Sequence, residues 1–337
     1  MAFLSRYIRD WARAAADGWN QFWFTPADPA TLGLIRILAG AMLFYTHLAW
    51  GLQLADFFGA DGWLSSEYAR QFHGTPYAWS YLYGIESMPL LWALHGVALI
   101  VFAMLTLGLF TRITSALGFL ITVAYAHRVP GALFGLDQIN ALLAMYVMLG
   151  PAGDAFSLDR WLSSRRLPTA APAAIPSVTA NIAIRLIQVH MCIVYLFAGC
   201  GKLFGETWWD GTALWGALAN YEYQSVDMTW LAGWPLLINL MSHVTLAWEI
   251  SYAALVWPRL TRPVVLALAV PLHLGIAVAM GMITFGLIML VANLAFVSPQ
   301  LVRSCLRAGD RTTAGQGSVG QLAGGSPGGR AARRRRR

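Results

Sequence analysis

The sequence predicts an all-α polytopic membrane protein, an inner-membrane bundle of about eight transmembrane helices with both termini cytoplasmic. Three observations predict it. Hydrophobic residues make up 58% of the 337 residues and charged residues only 12%, where a soluble domain has roughly twice that charge. Mean hydropathy is +0.55, more apolar surface than one soluble core can hide. The arginines also fall on alternate sides of the apolar runs. Together these exclude a soluble enzyme, a disordered chain and a disulfide scaffold. Cys192, Cys200 and Cys305 form no CxxC motif and read as small apolar packing residues.

Residues 1–24 carry Leu4, Ile8, Trp11, Ala15, Trp19 and Phe22 at helical spacing, interrupted by Arg6, Arg9 and Arg13. That pattern predicts an amphipathic helix lying on the membrane surface, and the arginines rule out a signal peptide. The apolar runs of the membrane domain, 25–303, are 30–50, 89–109, 113–126, 134–150, 181–203, 235–257, 263–282 and 283–301. With the N-terminus inside, the inner segments hold every arginine except Arg36, Arg70 and Arg128, while Asp56, Asp61, Glu67, Glu86, Asp137, Glu206, Asp210, Glu222 and Asp227 fall outside. Residues 304–337 are Gly/Ser/Ala/Arg-rich and are expected to be a disordered basic tail that touches anionic lipid. No folded module accompanies that tail, so nucleic acid is not an expected partner.

Two outer loops, 51–88 and 204–234, are rich in Trp and Tyr. They read either as an interfacial aromatic belt or as a cap over an outward-facing cavity. Ionisable residues inside spans are costly and mark candidate sites. Here they are Arg36, His95, His190, Lys202, His243, Glu249 and His273, and no histidine falls in an inner segment. Each histidine reads as a hydrogen-bonded core residue or as part of a polar cavity. Neither HxxxH nor HExxH occurs, so no metal is expected. Arg36 and Glu249 lie at similar depths, roughly 9 and 12 Å from the inner boundary at helical rise. They read as a structural ion pair, or Arg36 snorkels inward alone. Pro271 sits mid-span two residues before His273 and frees backbone of the kind that lines cavities.

The strongest local motif runs from Tyr195 to Leu203, with small residues at 198, 199 and 201, followed by Trp208-Trp209-Asp210-Gly211. Small residues let a second helix approach closely. Lys202 is the only lysine among 23 basic side chains. It is either an interfacial anchor or a position that requires an amine able to lose its proton, which arginine cannot do.

At this motif the chain resembles the HTTM family, the membrane domain shared with vitamin K-dependent gamma-carboxylase. Tyr195, Ala198, Gly199, Lys202, Leu203, Trp209, Asp210 and Gly211 match its pattern. Arg36 with Gly40, Ser157-Leu158-Asp159, Glu249, and His273 followed by Phe285, Met289 and Leu290 match further pieces in order over residues 25–300. The resemblance implies an outward-facing site that uses a reduced quinone of the vitamin K or menaquinone type. Lys202 would be the base, with Asp137 as its partner. His273 and His190 would orient substrate or relay protons, and Tyr195, Trp209, Asp210 and Gly211 would contact substrate. The expected partners are the bilayer, a membrane quinone, and a peptide or small molecule. Leu136-Asp137-Gln138 stands where the carboxylase has a histidine, and nothing corresponds to its large lumenal domain. Quinol chemistry is therefore expected to persist without glutamate carboxylation. The alternative is a non-enzymatic transporter or an assembly and export partner.

Overall fold

The computed structural model describes residues 2–166 and 175–306. Most of the expected basic tail lies outside the described residues. Among those residues the chain is helical, with one isolated antiparallel bridge between Ala27 and Ser177. Each of the eight apolar runs forms a helix. After α1 (Ala2–Phe24) come α2 (Ala30–Gly51), α3 (Met88–Leu107), α4 (Thr111–Arg128) and α5 (Gly135–Leu149). Then follow α6 (Val178–Lys202), α7 (Pro235–Leu255), α8 (Arg262–Ala279) and α9 (Ile283–Asn293).

Local chemistry sets the ends. Ser177 caps α6 by accepting from the Ala180 amide. Prolines open α3, α7 and α8, where a missing N–H costs nothing. Gly108 ends α3 in the left-handed conformation. Helices α2, α3, α6 and α8 are long and apolar enough to cross a membrane. A fifth crossing counts if α9 and its continuation Pro299–Leu306, bent by 116°, are one span. The other apolar runs fall short of that test: α5 has only 15 residues, and α7 interrupts its apolar face with Asn239, His243 and Glu249.

Among the described residues two arginines are fully buried, one near each end of the bundle. Arg36 on α2 donates from Nη1 to the Ala152 carbonyl (3.0 Å) and from Nη2 to that of Phe156 (2.6 Å). Beside it Asp159 accepts from the amides of Phe110 and Thr111, both at 2.8 Å. Phe110 and Phe156 are the two non-glycine residues with positive φ among those described. Both belong to this junction, so the arginine and aspartate hold backbone that would otherwise relax. Arg128, at the end of α4, donates to the carbonyls of Leu64 (2.7 Å) and Gly59 (3.1 Å) and ties down the 51–88 loop. Arg303 grips Asp28 through two bonds of 2.8 and 2.6 Å, and this holds the Asp28 carboxyl below its ordinary range.

The predicted ion pair of Arg36 with Glu249 does not form. The two helices have different packing neighbours: α2 packs chiefly on α3 and α5, whereas α7 packs on α6. Arg36 spends its two Nη groups on carbonyls, its Nε being left without a partner, and Glu249 faces a different cation.

Candidate functional site

Helices α6 and α7 meet along an aromatic seam. Tyr195 lies between Trp248 and Tyr252, with ring centroids 4.8 and 4.2 Å away. One turn further, Gly199 lets the helices touch. A Cβ there would stand 3.0 Å from the Ile250 amide nitrogen and 3.1 Å from the Glu249 Cβ. This approach sets Lys202, the last residue of α6, against Glu249. Nζ lies 2.9 Å from Oε1 and 2.7 Å from Oε2. The lysine side chain is 25% exposed and the glutamate 9%. The ammonium also sits 5.3 Å from the centre of the Trp208 ring.

The pair forms part of the wall of a cavity of about 550 Å³, a size that suits a small-molecule ligand. Its polar groups are Gln138, His190, Tyr195, Lys202, Glu249 and His273. The rest of the lining is apolar, with Phe119, Leu272, Ile276 and Phe285 among it. His190 Nδ1 is 2.9 Å from the Tyr146 hydroxyl. His273 Nε2 is 2.7 Å from the Tyr195 hydroxyl. Helix α9 closes in behind His273 at Gly286, where any Cβ would collide with the His273 carbonyl.

The structure thus gathers four of the residues singled out in the sequence, Lys202, His273, His190 and Tyr195, around one cavity. Glu249 joins them in place of Asp137. Asp137 turns the other way, accepting from the Phe134 amide at 3.1 Å and lining a small gap with His47 and Asn140. It is not the partner of Lys202.

Trp209, Asp210 and Gly211, expected at the substrate, are absent from the cavity lining. They shape the outer loop instead. Trp209 Nε1 donates to the Leu203 carbonyl (2.8 Å), and Asp210 accepts from the Thr212 amide (2.8 Å). Gly211, at φ 78°, lies where a Cβ would strike the Asn239 side chain. The sequence reading passed over Gln138, Tyr146 and Asn293. Asn293 is 5% exposed within an apolar run, and a buried amide there was the signal that could have found it. No group of three metal-ligating side chains occurs among the described residues.

A helical membrane protein with a largely apolar cavity, and a lysine–carboxylate pair in its wall, is the class that this fold and site define. The HTTM domain model matches residues 24–300. The chain belongs to the HTTM domain family, and is a membrane protein of the gamma-carboxylase-like kind. Neither the curated proteins nor the solved structures contain a match.

Proposed function

We propose that the protein is a quinol-dependent membrane enzyme whose outward-facing cavity uses Lys202 as a base. The observation that carries this reading is the single lysine of the chain, paired with a buried carboxylate in the wall of an apolar cavity. The residues fit a reduced quinone. Phe119, Leu272, Ile276 and Phe285 offer apolar contact to a ring and tail, and the polar groups cluster where hydroxyls would sit. A reduced quinone bound there supplies an acidic hydroxyl and two reducing electrons. Lys202 Nζ would accept that proton as its own passes to Glu249, 2.7 Å away. The proton gained then rests on the carboxyl, the ammonium faces the oxyanion, and the apolar wall strengthens that attraction by excluding water. His190 and His273 orient the oxygens. Loss of quinol-dependent oxygen uptake in Lys202→Arg tests the reading.

In this proposal all eight apolar helices, α2 to α9, cross the bilayer, and α1 lies on the cytoplasmic surface. Support comes from the arginine asymmetry of the loops and from the exposed Leu4, Ile8, Trp11 and Trp19 on α1. Single cysteines in a cysteine-free background report the orientation. Ser65→Cys and Asn220→Cys are expected to react with an impermeant maleimide on intact cells, and Ser164→Cys is not. Reaction at position 164 would place the cavity on the wrong side for this reading.

A further inference from the structure

Behind His273 runs a chain of hydrogen bonds whose direction can be read from one end. Asn293 Nδ2 is 2.8 Å from the Met289 carbonyl, which can only accept. That contact fixes which end of the amide is nitrogen. Its Oδ1 accepts from the Tyr252 hydroxyl at 2.6 Å, which agrees. The second hydrogen on Nδ2 goes to the Tyr195 oxygen at 2.8 Å. Tyr195, only 2% exposed, therefore receives one hydrogen bond, and its own hydrogen is left for its remaining partner. That partner is His273 Nε2 at 2.7 Å. An Nε2 that accepts carries no proton, so the proton of the neutral ring sits on Nδ1. Nδ1 is buried and has no hydrogen-bond partner in the protein.

We infer that Asn293 is a positioning residue. Acting through Tyr195, it fixes His273 as the Nδ1–H tautomer, so that this histidine serves the cavity as a hydrogen-bond donor, matched to a ligand that brings an acceptor oxygen. Two features make the assignment rigid. Asn293 is tied to α9's own backbone, and Gly286 on the same face of α9 brings that helix against the His273 carbonyl. An unpaired buried N–H is unfavourable, and a carbonyl or phenolate oxygen in the cavity relieves it. His273 then cannot serve as a base through Nε2, because the tyrosine hydrogen occupies that lone pair. Within the proposed reaction this leaves proton acceptance to Lys202 and gives His273 the task of holding an oxygen. The role of the oxygen rests on the proposed function, whereas the tautomer does not.

Nitrogen NMR of isotope-labelled histidine in the full-length protein in lipid nanodiscs reads the tautomer directly, with His273→Asn identifying the signal. The native protein is expected to show a protonated Nδ1 and an unprotonated Nε2 at His273. In Asn293→Leu, Tyr195 loses its donor and can accept from Nε2, so the signal is expected to become a mixture of tautomers. If that variant fails to fold, Tyr195→Phe removes the hydroxyl itself and should release the preference in the same way. A native Nε2 that is protonated, or a tautomer unchanged in a folded Asn293→Leu, overturns the inference. Short-chain menaquinol is the probe for the cavity. A shift of the Nδ1 signal on its addition supports the acceptor-oxygen role. The expected tautomer with no shift leaves the positioning by Asn293 standing and counts against the quinol reading.

Discussion

Replacing Lys202 by Arg is expected to lower quinol-dependent oxygen uptake on the order of 100-fold or more, the range a positioned general base contributes, with little loss of stability. Arginine keeps the positive charge and can still face Glu249, now 2.7–2.9 Å from the lysine nitrogen. It does not release its proton near neutral pH, so the site has no group to accept one from a bound hydroxyl. The two functions of the side chain, counterion and base, are thereby separated. Expression and melting temperature should stay near native while turnover falls. Near-native turnover in this variant would reduce Lys202 to a helix anchor and favour a binding or transport role for the cavity.

The second large effect is on stability. Glu249→Leu is expected to cost on the order of 3 kcal/mol, the lower end for removing one partner of a buried ion pair. The lysine keeps some exposure, 25% of its side chain, and water there limits the loss. Most of the cost comes from an ammonium left without its counterion in a largely apolar cavity wall. The double variant Lys202→Met with Glu249→Leu should therefore melt well above the single one, because it removes the stranded charge along with its partner. Thermal unfolding in detergent, followed by tryptophan fluorescence, measures all three. Equal melting of Glu249→Leu and the native protein would show that the pair contributes nothing to the fold.

Much of the fold was legible because membrane helices announce themselves. Long apolar runs, prolines at helix starts and Gly108 at a helix end are local signals, and the runs became helices at almost the expected positions. The small-residue stripe at 198, 199 and 201 correctly pointed to a close helix contact, and Gly199 makes it. Lateral order in the bundle was not legible. Depth counted along a run did not carry across helices, since Lys202 at the outer end of its run touches Glu249, counted nearer the inner end of its own; which helix stands beside which depends on packing between residues far apart in sequence. Arg36 and Glu249 were matched by depth, yet Glu249 faces α6 and Arg36 faces the turns after α3 and α5.

Rotation was equally hidden. One residue along a helix turns the side chain by about 100°, so Gln138 lines the cavity while Asp137 faces His47 and Asn140. Charge drew attention to Asp137, and the neutral neighbour went unnoticed. Asn293 was missed for the same reason: an uncharged amide in an apolar run carries its meaning only once Tyr195, Tyr252 and Met289 are seen around it. The Trp209-Asp210-Gly211 segment shows the converse. Its residues are held by hydrogen bonds, but those go to Leu203 and Thr212 in the loop and to Asn239 at the start of α7.

The proposed quinone occupies the cavity walled by α5, α6, α7, α8 and α9, and native mass spectrometry of the protein purified from its own membrane tests this most directly. Ala198 lines the cavity beside Lys202, so Ala198→Trp fills the space while leaving the lysine and glutamate in place. The native protein is expected to carry one quinone that survives delipidation, and Ala198→Trp to carry none. A native protein with no quinone, or one whose quinone content is unchanged by the tryptophan, would contradict the account.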